Sequence, residues 1–321
     1  MRAARLHEHG GPEVLTAEEA ERPEPDRGEI LVEVAAAGVN PVDTYFREGS
    51  YPVVDLPFTP GVDVSGTVAA VGEGVEGFEV GDRVMGTGIG SMNDQGAYAE
   101  YATVPTDRVV TIPDAVSLQE AGAAGVAALT AWRALIEHAS LDPAEYVLIH
   151  GGSGGVGHAA VQLAAAVNAR VITTAAPRYH DRLSELGAET VIDYNEEDLA
   201  GAITEASNGG VDVILDHRLD DYLQLDADVA ADGARVVGIG ENSPDPGFTN
   251  DGAARSKDVN YQFMSMFNTP DMRVGLHGIA HLMATDGMGI EIAESYALDD
   301  AAQAQRDVLS ESFFGKLVIE P

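Results

Sequence analysis

The 321-residue chain contains no cysteine, which removes disulfide frameworks, thiolate nucleophiles and every zinc site built on sulfur, the four-cysteine structural type included. It is almost as poor in lysine, with Lys257 and Lys316 alone. Its 18 basic residues face 53 acidic ones, for a formal charge of −35. A field of that sign repels polyanions and argues against nucleic acid as a partner. Nor is there an uncharged apolar stretch of the roughly 18–20 residues that a membrane span needs. The opening Met1-Arg2-Ala3-Ala4-Arg5-Leu6-His7-Glu8 turns polar before an apolar signal core can form, so a cytoplasmic protein with no membrane partner is expected.

What is present is globular: 45% hydrophobic and 22% charged residues, in a length that gives about two domains at roughly 150 residues each. The acids are spread through periodic segments instead of forming a tail, which points to a dense, hydrated acidic surface. Together with the scarcity of lysine, this composition resembles that of proteins from salt-accumulating halophiles.

The first third reads as short strands and turns. Segments 29–39 and 62–71 are rich in Val and Ala, and Gly72, Gly74, Gly77 and Gly81 punctuate the loops that follow. Residues 119–138 have helical composition despite two glycines. A regular alternation then begins, with strands at 146–150, 170–174, 190–193, 211–215 and 234–238. Helical segments at 156–167, 180–186, 198–206 and 222–230 separate them. Parallel neighbours cannot be joined by a hairpin, so this rhythm predicts a doubly wound parallel sheet with crossover helices. The rhythm is lost after about Asn260, and the chain closes on a helix-like 299–309 and a strand-like 315–319.

Directly after the strand at 146–150 stands Gly151-Gly152-Ser153-Gly154-Gly155-Val156-Gly157, in which Gly152, Gly154 and Gly157 fit G-x-G-x-x-G. Between a buried strand and an apolar helix, this pattern supplies a turn tolerant of positive φ. It also offers backbone that a diphosphate can approach without an intervening Cβ, and a helix N-terminus with free N–H groups. Sites for NAD place an acid at the end of the next strand to hold the ribose hydroxyls. Here that stretch reads Thr173-Thr174-Ala175-Ala176-Pro177-Arg178-Tyr179, with no acid and with Arg178 as a cation for a 2′-phosphate. NADPH is therefore the expected cofactor.

These residues join others in a pattern. Ala37 to Tyr45 with Tyr51-Pro52, Pro60 to Gly66, Val80 to Val84, Gly96 to Tyr101, the glycine-rich turn, Leu186-Gly187-Ala188 with Val191 to Tyr194, and Gly315 to Val318 occur in order along nearly the whole chain. In this the chain resembles the zinc-free quinone oxidoreductase branch of the medium-chain dehydrogenase/reductase superfamily, related to zeta-crystallin. The resemblance implies an α/β architecture: a GroES-like β domain built from both chain ends (1–119 and 262–321) around an inserted Rossmann NADPH-binding domain (120–261), with the active site in the cleft between them. It also implies a homodimer. Zinc-dependent members carry a cysteine in the early strand-end motif and a Gly-His-Glu motif in the next element. Those regions read Val39-Asn40-Pro41 and Gly61-Val62-Asp63 here, so no catalytic metal is expected. His7 and His9 suggest no metal site either, and His150, ending a buried strand, is expected to be a structural histidine.

Without metal, the reaction that fits is hydride delivery from NADPH to an acceptor needing little activation, a quinone or an enone. By resemblance, Asn40, Tyr45 and Tyr51 line the nicotinamide and acceptor pocket, with Tyr45 the candidate hydrogen-bond or proton donor. Thr130, Thr174, Tyr194, Gly240 and Lys316 join Gly152, Ser153, Gly154, Gly155, Val156, Gly157 and Arg178 as cofactor contacts. Asp43 is assigned to structure, because a carboxylate beside a developing oxyanion would raise the barrier. Two alternatives stand beside this reading: an enoyl-thioester reductase, disfavoured by the shortage of basic residues for a coenzyme A handle, and a non-enzymatic NADPH-binding redox sensor. The chain departs from the family at Leu215 to Asp221, where relatives have a Gly-containing turn. The apolar group Phe263, Met264, Met266 and Phe267, within 243–267, is expected at helical spacing in a core, a dimer interface or a substrate pocket.

Overall fold

The computed structural model describes residues 1–91, 94–243, 245–310 and 312–321; Pro244, inside the segment 243–267, lies outside the described residues. Contacts divide the chain into a unit of residues 1–129 with 270–321 and a unit of residues 130–269.

In the first unit, β1 (Arg2–Arg5) pairs antiparallel with β2 (Thr16–Glu19). The long β3 (Glu29–Val39) leads into α1 (Pro41–Glu48), and β4 (Asp63–Val71), β5 (Arg83–Thr87), β6 (Tyr101–Pro105) and β7 (Val109–Thr111) follow. The helix α2 (Leu118–Trp132) runs out of this unit and continues as a π-helical turn at Arg133–His138. The dinucleotide-type unit carries β8 (Tyr146–Ile149), α3 (Gly155–Ala166), β9 (Arg170–Thr174), α4 (His180–Glu185), β10 (Thr190–Ile192), α5 (Leu199–Ala206), β11 (Val211–Asp216), α6 (Leu219–Val229), β12 (Ala230–Gly238), α7 (Gly252–Ser256) and β13 (Asn260–Phe263). The chain returns to the first unit with α8 (Met272–Ala284), β14 (Ile292–Ala297), α9 (Ala301–Ser310) and β15 (Lys316–Glu320).

The chain ends meet in the first unit because β15 pairs antiparallel with β3, Leu317 opposite Val39. The sheet order is β14-β15-β3-β4-β5-β7, with β6 also on β3. Its core gathers Ile30, Val32, Val64, Val84 and Leu317 around the fully buried Tyr98. The second sheet is wholly parallel in the order β10-β9-β8-β11-β12-β13. Leu148, Ile172, Ile214 and Val236 form its centre, packed against Ile203 of α5 and Val229 of α6. This is the GroES-like and doubly wound α/β architecture that the sequence predicts.

Several elements differ from the pattern reading. Helix α6 begins at Leu219, three residues before the predicted start, since Asp220 and Asp221 suit a first turn. The segment 260–263 is a strand that pairs parallel with β12, and Phe263 is its exposed last residue rather than part of an apolar helix face. Met266 is buried in the short turn that follows. Helix α8, at 272–284, was not signalled, because its apolar residues stand among Arg, Gly and His.

Candidate functional site

In the parallel sheet the winding direction reverses between β8 and β11, and ligands of such sheets bind outside the carboxyl ends of the strands at that point. The glycine-rich turn lies there. Gly151 takes φ +69°, which a side chain rarely tolerates. A Cβ on Gly157 would stand 2.2 Å from the Gly151 carbonyl oxygen, and one on Gly152 would stand 2.2 Å from Thr173 Oγ1, so both are bare for packing. Gly154 differs. Its φ of −76° suits any residue, and a Cβ there would meet only the Gly151 oxygen at 3.5 Å. Its missing side chain leaves open space over the first turn of α3, whose N–H groups lack intrahelical acceptors. Those donors, with the positive end of the helix, fit a dinucleotide diphosphate.

The neighbouring predicted residues have distinct places. Thr174 is buried and braces the turn: its Oγ1 accepts from Gly151 N at 3.1 Å and its carbonyl from Gly152 N at 2.9 Å. Thr173 Oγ1 donates to the Ile149 carbonyl at 2.7 Å. Arg178 stands exposed on the 3₁₀ turn after β9, its guanidinium 4.6 Å above the Tyr179 ring. Tyr194 is exposed just past β10. The Gly240 carbonyl accepts from Leu219 N at 3.1 Å, beyond the end of β12. Thr130 is buried within α2. Ser153, Gly155 and Val156 fill the turn and the first turn of α3.

In the first unit the predicted residues fall into two pairs. Tyr45 and Tyr51 are both part-exposed and meet edge to face, with ring centroids 5.7 Å apart. Asn40 and Lys316 are both buried and bonded to each other: Lys316 Nζ donates to Asn40 Oδ1 at 2.5 Å and to the Val39 carbonyl at 2.8 Å. Asn40 Nδ2 donates to Asp63 Oδ2 at 2.8 Å. Asp63 Oδ1 accepts from Thr87 Oγ1 and Val126 N, each at 2.7 Å. Asp43 accepts from Asn40 N at 2.8 Å, Val62 N at 3.1 Å and Tyr98 OH at 3.0 Å. Helix α1, which carries Tyr45, is thus anchored at its first turn by a buried polar network.

Burial pushes the Asp43 carboxyl up to about 7, against the pull of the Asn40 N–H, while Asp63 adds to the rise. Asp63 is also raised by burial, with Lys316, Thr87 and Asn40 opposing. Lys316 is lowered by burial and held back by the two carboxylates. Tyr98 is raised by burial and by Asp43. The pattern reading recognised Asp43 as structural but missed Asp63 and Tyr98. The capping pattern at Asn40 and Asp43 is legible locally, whereas the contacts of Asp63 are not.

Among the described residues, no group of three or more His, Asp or Glu side chains is placed to hold a metal ion, and no helix is long and apolar enough to cross a membrane.

Comparison with known proteins places this architecture. Residues 26–114 match the alcohol dehydrogenase GroES-like domain, and residues 186–319 match the family described as zinc-binding dehydrogenase. The quinone oxidoreductase of Lama guanicoe is 36% identical over 329 residues, covering 99% of this chain and 97% of the relative. The chain belongs to the quinone oxidoreductase family of the medium-chain dehydrogenase/reductase superfamily. Members of the family are enzymes, oxidoreductases that use a nicotinamide dinucleotide. Two solved structures cover this chain and themselves in full. One is Escherichia coli quinone oxidoreductase complexed with NADPH, at TM-score 0.90 and 30% identity. The other is an NAD-dependent alcohol dehydrogenase, at TM-score 0.93 and 28% identity.

Proposed function

We propose that the chain is an NADPH-dependent, metal-free reductase of quinones or enones. The observation that carries the reading is the turn at 151–157, open over the helix α3 N-terminus and followed, at the end of β9, by Arg178 instead of an acid. The N–H groups of Gly155, Val156 and Gly157 hold the diphosphate, and Arg178 takes the 2′-phosphate through charge-assisted hydrogen bonds. A bound reduced nicotinamide supplies the hydride. Tyr45, at the exposed face of α1, donates a hydrogen bond where negative charge develops on the acceptor oxygen, and Tyr51 holds its ring in orientation.

The residues at the zinc-motif positions support the metal-free part. Asn40 and Asp63 are bonded to each other, and the Lys316 ammonium already supplies a cation to that network. Neither cysteine nor histidine stands there to complete a tetrahedral set. The acidic composition supports a protein adapted to concentrated salt, and the family resemblance supports a homodimer.

The test is steady-state dinucleotide oxidation at molar salt, with NADPH and NADH each offered 9,10-phenanthrenequinone, crotonyl-CoA or no acceptor. Faster turnover of the quinone with NADPH is expected. Preference for crotonyl-CoA would favour the enoyl-thioester reading, and tight NADPH binding with no turnover would favour a sensor. Stoichiometric zinc in the active enzyme would overturn the metal-free mechanism.

A further inference from the structure

We infer that Asp226 of α6 is a positioning residue for the dinucleotide crevice, one carboxyl group that shares a proton with Asp216 and so ties together the two strand ends forming the banks of the crevice. The inference rests on the reading that the turn at 151–157 takes a dinucleotide.

The two banks are the continuations of β8 and β11. On one, His150 directly precedes the glycine-rich turn; on the other, Asp216 ends β11 and directly precedes His217. The ladder between them runs one residue past β8, with His150 N donating to the Leu215 carbonyl at 3.1 Å. Above it the banks touch, since a Cβ on Gly151 would stand 2.6 Å from His217 Cε1. Asp226 serves both. Its Oδ1 lies 2.9 Å from His150 Nε2, and its carboxyl group is near enough to that of Asp216 for each to shift the other's titration. Asp216 in turn accepts the Arg218 N–H at 2.7 Å, which fixes the start of the loop carrying His217. His150 is clamped from its other side by the Tyr222 ring, stacked at 4.2 Å and 7°.

Proton sharing follows from the acceptor count. His150, Asp216 and Asp226 are all buried. Asp216 Oδ2 and Asp226 Oδ2 receive no hydrogen bond from any donor among the described residues. Two ionised carboxylates in contact in a buried site repel, whereas one proton between them converts the contact into a short, strong hydrogen bond. Burial lifts Asp226 to about 8 and Asp216 to about 7, so the pair keeps a proton at neutral pH. Burial also lowers His150 to about 4, so its neutral ring donates from Nε2 and the contact with Asp226 is a neutral hydrogen bond.

The groups beside the pair are His150 from the end of β8, which His217 faces in turn, Tyr222 from α6 and Tyr261 from β13, and Lys257, beyond α7, binds the C-terminal end of α6. None replaces the proton. Lys257 is bonded to the Ala227 and Asp228 carbonyls, and the buried Tyr261 hydroxyl has no partner among the described residues.

Two measurements at molar salt between pH 5 and pH 10 test the inference: NADPH affinity by fluorescence titration, and the melting midpoint of the cofactor-free protein. The proteins compared are the wild type, Asp226→Asn and Asp226→Leu. Asparagine accepts from His150 through Oδ1 and donates to Asp216 through Nδ2, so it keeps the link without a titrating proton. Wild-type affinity should be level to about pH 8 and then weaken by up to about tenfold per pH unit as the shared proton leaves. The asparagine variant should show a flat profile, and the leucine variant should bind at least about tenfold more weakly at every pH.

In the melting series, a carboxyl raised on folding contributes stability that is present at acid pH and lost as pH rises toward its folded value. The asparagine variant should therefore gain on the wild type from about pH 5 to pH 8 and then hold a constant lead. Identical pH profiles of affinity for wild type and asparagine variant, or undiminished binding by the leucine variant, would overturn the positioning role. Parallel melting curves would overturn the shared proton. A wild type that binds no dinucleotide at any pH would instead overturn the functional reading, and the melting series would still decide the proton.

Discussion

In the unit built from the two chain ends, Asp43 and Asp63 are buried beside Lys316; in the other unit, Asp216 and Asp226 are buried beside a neutral histidine. Arg218 gives Asp216 only its backbone N–H and turns its guanidinium to Asp221. The first cluster is partly compensated by one cation, and its carboxylates accept six hydrogen bonds from donors among the described residues. The second leaves two carboxylate oxygens without donors among the described residues, a deficit that one proton removes. The two also serve different parts of the molecule: the lysine cluster anchors the helix carrying Tyr45, and the proton cluster lies beneath the glycine-rich turn. Asp43, raised to about 7, titrates near neutrality as well, but its cluster keeps a lysine and a full set of donors when that proton leaves, whereas the second cluster has only the proton. The following substitutions probe this difference between a support compensated by lysine in one unit and one compensated by a proton in the other.

The largest effect is expected from removing the cation. Lys316→Met keeps the length and apolar stem of the side chain but leaves two buried carboxylates uncompensated, which should cost about 3–5 kcal/mol of folding stability. Denaturant unfolding at molar salt measures it. A loss below about 1 kcal/mol would mean that Asp43 and Asp63 are already protonated and that the two clusters are alike.

In the other unit, binding and folding should separate at the turn. Gly154→Val places a side chain over the α3 N-terminus whose Cβ makes only an ordinary contact with the Gly151 oxygen, so stability should fall by only about 1 kcal/mol, from the poorer cap. NADPH affinity should fall at least about a hundredfold, or ~2.8 kcal/mol. Gly157→Ala should do the reverse in order of cause, because its Cβ would stand 2.2 Å from the Gly151 oxygen and strain the turn itself, at about 1–3 kcal/mol. Unchanged affinity in Gly154→Val would remove the diphosphate from this turn.

The contrast between the clusters also explains which parts of the site were legible in the sequence. The glycine-rich turn, the crossover rhythm and the missing acid after β9 are local features, each readable within a dozen residues. Asn40 and Lys316 were picked out by resemblance as separate contacts, yet they bond to each other across 276 positions, and Asp63 joins Asn40 across 23. No periodicity records such a meeting. Asp226 was hidden differently. It lies in a segment read as helical, but among 53 acids nothing marks it as one of the few that are buried. Leu219, Leu223, Asp226, Ala227 and Val229 form the buried face of α6, and the pattern starts the helix after the first of them. The same is true of Phe263, whose apolar character suggested a helix face when only strand pairing with β12 could show it to be an exposed strand end.

A smaller effect probes the lysine cluster's hydrogen bonds. Tyr98→Phe removes one of three donors to Asp43 and leaves its ring buried, which should cost about 2 kcal/mol. The same substitution should raise Asp43 further, since Tyr98 opposes the effect of burial there. Chemical-shift titration of the Asp43 carboxyl carbon would follow this directly. No movement would mean that the hydroxyl and the carboxyl are not coupled.

The smallest effect is expected at Arg178, where the environment is the opposite of both clusters. The side chain is exposed, so any attraction to a 2′-phosphate is screened, with a Debye length of about 3 Å at 1 M salt. Contact hydrogen bonds survive such screening better than attraction at a distance, so Arg178→Ala should weaken NADPH about tenfold and NADH hardly at all. The ratio of the two affinities should fall as salt rises in the wild type and stay level in the variant. The stability losses in Lys316→Met, by contrast, should change little with salt because that charge is buried. Equal weakening of both dinucleotides in Arg178→Ala would place the guanidinium on a shared part of the cofactor. A salt-independent ratio in the wild type would show that preference between the dinucleotides is set by shape at the end of β9 rather than by charge.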